Sequence, residues 1–263
     1  MFKGRGLLTI DKSHFHILPE QWTWTRLGDI SILNPRFNSE GIPDDTEVSF
    51  LPMRSVQELT GKIDLSLSRK ISEVKKGYTS FIDGDLLFAK ITPCMENGKV
   101  AIANNLLNGR GFGSTEFHVI RFTPPFITKF FFFFLIQESI RDDARRNMKG
   151  TAGQLRVPLT YMEQIPIALP PIIEQEKIIE EIERYFSLAD AVYKALDNGL
   201  KLSERLRQSI LKKAFAGELV PQDPEDEPAA ALLERIKAEK AGKPSTGGQR
   251  RGKRANRTLF GES

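Results

Sequence analysis

Pro43-Asp44 followed by Glu73-Val74-Lys75 is the stretch of this 263-residue chain whose residue types could do chemistry most directly. Two carboxylates can hold a divalent cation and a nearby lysine can polarise a phosphate under attack, so Asp44, Glu73 and Lys75 would suit a small metal-dependent nuclease. The pattern is short and its gap loose, and chance supplies such matches often. Cys94 is the only cysteine, which excludes an internal disulfide framework and a cysteine-rich zinc site; a small buried thiol is the expectation for it. His14 and His16 lie two apart with no third ligand in view and read as solvent-exposed. There is no phosphate-binding glycine loop, nucleophile elbow or Ser/His/Asp set. Catalytic signals are weak, and neither a metal nor a cofactor is expected.

The elements that would position any site come from composition and spacing. The chain has 38 Lys+Arg against 34 Asp+Glu, a formal net charge of +4, with 40% apolar and 27% charged residues. That is ordinary for a soluble globular protein with ample chain to bury a core. An isoelectric point near 9.1 permits a nucleic-acid partner without requiring one. Met1 to Asp11 lacks a long apolar run, so no signal peptide is read, and Phe130–Ile136 is far short of the ~20 residues that span a bilayer. The expectation is a cytoplasmic protein without membrane contact.

Residues 1–20 read as a leader. From Trp22 to about Arg121, short apolar runs (Val48–Leu51, Asp85–Ala89, Glu116–Phe122) alternate with Gly, Pro, Asn and Asp, which is strand-and-turn text. Asn97-Gly98 between Leu86–Ile91 and Lys99–Ala103 predicts a type I′ hairpin turn, and Asn108-Gly109-Arg110-Gly111 another loop. Phe126, Phe130, Phe133, Phe134, Gln137, Ile140 and Ala144 follow one helical rhythm ending near Gly150, a helix buried against the sheet. Leu155–Leu159 and Ile165–Leu169 read as β-like.

From Ile172 to about Phe215 there is no proline, and apolar residues recur at spacings of four and three: Ile178, Ile182, Tyr185, Ala189, Val192 and Leu196, then Leu206 and Ile210 beyond an interruption at Gly199 and Ser203. This predicts a helix of roughly 60 Å whose stripe is buried against a partner helix rather than on its own domain. Its first half (Glu174 to Asp190) holds six acids against two bases, and its second half (Lys194 to Lys213) six bases against two acids. An identical helix laid antiparallel sets acid against base at both ends, so the pattern favours antiparallel pairing. Pro221–Pro228 then reads as an acidic linker, Ala229–Ala241 as a short helix, and the end as a basic tail (Lys243, Arg250, Arg251, Lys253, Arg254, Arg257). The domain reading is 1–20 leader, 21–170 globular domain, 171–216 long helix, and 217–263 linker, short helix and tail.

Three groups of residues carry a resemblance. They are Leu18-Pro19-Glu20-Gln21-Trp22-Thr23-Trp24 with Arg26-Leu27-Gly28-Asp29-Ile30; Gly84-Asp85-Leu86-Leu87-Phe88-Ala89-Lys90-Ile91-Thr92-Pro93-Cys94 with Glu96-Asn97-Gly98-Lys99 and Gly113-Ser114-Thr115-Glu116-Phe117; and Gly150-Thr151-Ala152-Gly153-Gln154 leading to Leu169-Pro170-Pro171, Glu174-Gln175 and the long helix. Over roughly residues 18–240 the chain resembles the DNA specificity subunits of type I restriction–modification systems. The resemblance implies an α+β fold: a strand-rich target recognition domain that reads double-stranded DNA, then a helix that acts as spacer and docks modification (methyltransferase) subunits and, through them, restriction subunits. It implies no catalytic machinery, S-adenosylmethionine and ATP being used by the partners. Family members carry this unit twice with their two helices antiparallel. Here there is one copy, a half-length form in which two chains pair as a homodimer or which is a fragment of a longer gene.

Readers of base edges need donors and acceptors reaching from a loop or hairpin, with Lys and Arg nearby for phosphates. The candidates are Lys90, Thr92, Asn97 and Lys99 on the expected hairpin, Arg110 on its loop, and Lys149, Thr151, Gln154 and Arg156. Arg54, Arg69, Lys75 and Lys76, in the stretch least like the family, are equal candidates. Asn34-Pro35-Arg36-Phe37 matches in part a motif that holds a target base in amino-methyltransferases, but Arg36 breaks it and the match reads as accidental. Between Glu20 and Thr160 there are 18 bases and 16 acids, so no broad basic face is expected. Two rivals stand beside this reading: the small nuclease, and a coiled-coil adaptor that binds no DNA.

Overall fold

The computed structural model describes residues 17–38, 41–123, 128–151 and 153–242. The histidine pair His14 and His16, Phe126 and the tail bases from Lys243 onward lie outside the described residues. The chain divides into two compact units, Met1–Ala191 and Val192–Ser263. The first runs β1 (Thr23–Arg26), α1 (Leu27–Ile30), β2 (Ser31–Leu33), β3 (Glu47–Leu51), β4 (Ser68–Lys70), α2 (Ile71–Val74), β5 (Thr79–Ile82), β6 (Leu86–Ala89), β7 (Val100–Ile102), β8 (Arg110–Gly113), β9 (Phe117–Phe122), α3 (Thr128–Leu135), α4 (Glu138–Arg146), α5 (Leu159–Gln164), β10 (Pro166–Leu169) and the start of α6 (Ile172–Phe215). The second holds the rest of α6 and α7 (Ala229–Gly242). The fold is α+β, as the sequence predicts.

Period-two alternation explains the layers. One four-stranded sheet has the order β2-β9-β6-β7 and another β4-β3-β8-β5, with β3 and β8 parallel and the other pairs antiparallel. On β6, Leu86 and Phe88 face a core shared with Phe130, Phe131 and Leu135 of α3, whereas Leu87 and Ala89 face a second core with Leu51 and Phe81 of the other sheet. β9 alternates likewise, Ile120 and Phe122 to the helices and Phe117 and Val119 to the second core. Both faces of the middle sheet are therefore apolar, the pattern of a sheet covered on each side. A third cluster, with Val48, Ile71, Val74 and Phe112, covers the far side of β3 and β8. Gly113 lets β8 lie between its neighbours, because a Cβ there would overlap the Leu51 carbonyl. Asp85, almost fully buried, receives both Nε and Nη2 of Arg121 at 2.7 Å and the Ile82 amide at 2.8 Å, and so fixes the turn before β6.

β1 and β10 form a separate antiparallel pair, with Thr23 opposite Leu169 and Arg26 opposite Pro166. Directly after it, Gln175 donates from Nε2 to the Pro170 carbonyl at 2.9 Å, and Ile179 enters the core beside Ile167. The long helix forms over the expected span, but its first turns use their apolar face within the chain. Ile178 and Ile182 are half-buried, and Ile179, which the four-and-three stripe omits, is the buried one. From Tyr185 onward the stripe residues Tyr185, Ala189, Val192, Leu196, Leu206 and Ile210 are exposed.

Four local expectations give way in the structure. β6 and β7 do pair, but residues 90–99 connect them as a long turn in which Gly98 has a positive φ of 70° and Asn97 does not. The buried Met95 and the Arg141 guanidinium on the Glu96 carbonyl hold that turn open. The phenylalanine-rich helix is two helices, α3 and α4. Arg141 Nε takes the Ile136 carbonyl at 3.1 Å and Gln137 is extended, with φ −58° and ψ 139°. Leu155–Leu159 is not a strand; it makes only isolated bridges, Arg156 with Ile91 and with Lys149. Arg110 opens β8 opposite Ile82 instead of sitting in a loop.

Candidate nucleic-acid interface

The structure distributes all the candidate residues but Arg110 over three places on the first unit. In the first, the bridges at Arg156 bring Lys90, Thr92, Lys149, Thr151, Gln154 and Arg156 together. The Thr92 amide donates to Leu155, the Val157 amide to Lys90, and the Gln154 amide to Thr151, which turns the loop. Arg156 grips Glu116 through Nε at 2.9 Å and Nη2 at 2.8 Å, and donates from Nη1 to the Gln154 carbonyl at 3.2 Å. These bonds hold the Glu116 carboxyl below its usual range. The guanidinium thus shapes the loop, while Lys149, Thr151 and Gln154 stand exposed on it. Thr92 Oγ1 donates to Glu96 at 2.9 Å. Lys90 is half-buried, and burial pulls its ammonium below the usual lysine range, with Glu116 opposing and Arg156 adding to that shift.

In the second place, Lys99 Nζ donates to the Met53 carbonyl at 3.2 Å and Asn97 Nδ2 to Glu58 at 2.8 Å, so both side chains fasten the 53–64 loop to the long turn. Arg54 is exposed beside them and lines, with Lys62 and Lys99, a surface hollow that also contains Glu58 and Asp64. In the third place, Arg69 lies 5.6 Å from the Phe50 ring centroid and 3.9 Å from Glu73, Lys75 pairs with Asp44 at 2.5 Å, and Lys76 is exposed. The nuclease trio is thereby divided between ion pairs, Lys75 on Asp44 and Arg69 on Glu73. Among the described residues no group of three His, Cys, Asp or Glu gathers as metal ligands. Arg110 stands apart on β8.

Residues absent from the sequence-based selection join the first and third places. Phe50 meets Tyr78 edge-on with centroids 5.1 Å apart. Tyr78 then shares a pocket of about 310 Å3 with Arg36, Phe37, Thr79, Ser80 and Lys90. Arg69, Phe50, Tyr78, this pocket, Lys90, Arg156 and Lys149 form one connected band. No local signal marks Tyr78 or Ser80. Arg36 was visible only as the residue that spoils a motif.

The α+β domain of two four-stranded sheets and a separate strand pair, continued by a 44-residue helix, is similar in fold to solved chains. One is the HsdS subunit from Thermoanaerobacter tengcongensis, with TM-score 0.62 and 22% identity over 82% of this chain and 54% of that one. Another is a chain from a structure described as underlying complex assembly and conformational transition of the type I R-M system, with TM-score 0.57 and 23% identity over 81% and 53%. Residues 19–202 match the family described as type I restriction modification DNA specificity domain, and the chain belongs to that family. Among its curated relatives, the type I restriction enzyme EcoAI specificity subunit of Escherichia coli is 36% identical over 85% of this chain and 45% of that protein. The EcoEI specificity subunit of Escherichia coli is 35% identical over 90% and 47%. The chain spans about half the length of these relatives. No described helix is long and apolar enough to cross a membrane.

Proposed function

We propose that this chain is a non-catalytic, sequence-reading subunit of a cytoplasmic type I restriction–modification complex. Residues 21–170 act as target recognition domain, residues 171–216 as spacer and docking helix, and residues 217–263 as an appendage. The observation that carries this is the connected band of bases, hydroxyls and aromatic rings on a domain of the specificity family. Exposed side chains at Lys149, Thr151 and Gln154 supply base-edge donors and acceptors, Arg54, Lys76 and Arg110 supply further positive charge, and the methyl transfer and cleavage belong to modification and restriction subunits.

The α6 helix is the surface for assembly. Its exposed Tyr185, Ala189, Val192, Leu196, Leu206 and Ile210 are the stripe that a second copy would bury, and its acidic first half and basic second half favour the antiparallel arrangement. A two-fold homodimer presents two recognition domains in inverted relation, so its target has two identical inverted half-sites around an unread spacer. Mapping methylated bases in cells that express this chain with a modification subunit tests the reading. Methylation confined to such a two-part motif is expected, and unchanged methylation would refute a specificity role.

A further inference from the structure

We propose that the pocket between Asn34–Phe37, Tyr78–Ser80 and Lys90 is a phosphate site that takes one phosphodiester group of a duplex backbone. The source of that phosphate rests on the DNA-reading function proposed above; the site itself rests on the charges and donors of the pocket.

Nothing acidic lines the pocket, whereas Arg36 and Lys90 both do. Arg36 makes no ion pair among the described residues. The carboxylate that bears on Lys90 is Glu116, and Arg156 already occupies both of its oxygens. Positive charge is therefore in excess at a place where Lys90 has lost part of its hydration, an unfavourable arrangement until an anion arrives. The same excess bears on the neighbouring buried imidazole, since Lys90 adds to the downward shift of His118. Tyr78, Thr79 and Ser80, all hydroxyl-bearing, are also among the lining residues, and a lysine or arginine joined by hydroxyls is the usual donor set for a phosphate oxygen.

The pocket's place in the band identifies the phosphate. Tyr78 leads through Phe50 to Arg69 on one side, and Lys90 leads through Arg156 to the exposed Lys149 loop on the other. A backbone phosphate here would fix the register in which Thr151 and Gln154 meet base edges. No sequence information would pass through the pocket itself.

The test uses the full chain, with Lys90→Met and Arg36→Gln as variants and Lys129→Gln as a control for net charge. Lys90→Met keeps the backbone bonds to Glu116 and Val157, and Arg36→Gln supplies a second variant should the first fail to fold. Binding of a fluorescent mixed-sequence duplex is followed as salt is raised. Each pocket variant should weaken binding about tenfold for every duplex sequence and lower the slope of log K against log salt by about 0.9, the amount for one phosphate. Slopes in both variants equal to the control's would overturn the proposal. Inorganic phosphate, followed by its phosphorus resonance, is the second arm. The wild type should broaden that resonance and both variants should not; equal broadening in all three would overturn the pocket as a phosphate site. Broadening that depends on Lys90, together with variants that bind duplex like the control, would overturn the DNA backbone as its source. A wild type that binds no duplex but broadens phosphate through Lys90 would overturn the DNA reading and leave the pocket.

Discussion

His118 links strand β9 to two distant segments through its ring. Nε2 lies 2.8 Å from the Val157 carbonyl and so carries the proton; Nδ1 then accepts from Asn34 Nδ2 at 3.2 Å. Asn34, held at a positive φ of 48°, spends its Oδ1 on the Val119 amide at 2.9 Å, so it cannot turn to accept a second imidazole proton. Burial, aided by Lys90, pushes the ring below its ordinary 6.5. The folded state thus refuses a proton that the unfolded chain accepts, and stability falls as pH drops from 6.5 toward the lower folded value and is flat above it. Melting curves between pH 8 and 5.5 should show this loss, and His118→Gln should flatten it. The site was least legible at this scale. Lysines and asparagines announce hydrogen-bonding capacity, but whether Arg156 meets DNA or Glu116, forty residues away, depends on contacts that no local pattern encodes.

Among the elements, α6 buries Ile179 in the core and leaves its stripe from Tyr185 onward exposed. Ile179→Ala should destabilise the first unit by about 2–5 kcal/mol, the range for truncating a buried isoleucine, whereas Leu196→Ala, exposed within the chain, should leave a monomer's melting temperature unchanged. For the same reason a chain ending at Ala191 should melt cooperatively, and one ending at Pro171 should melt several degrees lower, having lost Ile179 and the Gln175 bond to Pro170; calorimetry of the two truncations reads this. The span of α6 was legible because 3.6-residue periodicity and the absence of proline are local properties. Its docking was not, because Gln175 and Ile179 fall off the stripe and acquire their meaning only from the strand pair beside them. The single phenylalanine-rich helix and the tight Asn97-Gly98 turn were misread for a related reason. Propensity allowed both, and the bonds that displaced them come from Arg141, one to the nearby Ile136 carbonyl and one across the fold to Glu96. Strands β6 and β9 were readable as strands, though only the assembled sheets reveal that both of their faces are covered.

For the whole molecule, the exposed stripe sets the expected mass. Burying apolar surface is worth about 25 cal/mol per Å2, and the antiparallel homodimer proposed above would draw on that gain along the exposed stripe of α6. Light scattering should give twice the chain mass of 29.7 kDa, falling to one chain when Leu196 and Leu206 are both replaced by Lys; a single-chain mass for the unsubstituted protein would count against the homodimer. The pairing of β1 with β10 has another consequence. The strand that opens the globular part and the strand that closes it lie side by side, with Thr23 opposite Leu169. The stretch between Leu27 and Ile165 is thus held at its two ends by one clasp, with Ile179 of α6 packed into its core as a second fastening. On the function proposed above, substitutions confined to the polypeptide inside the clasp would alter what the chain reads and leave α6, its assembly surface, unchanged.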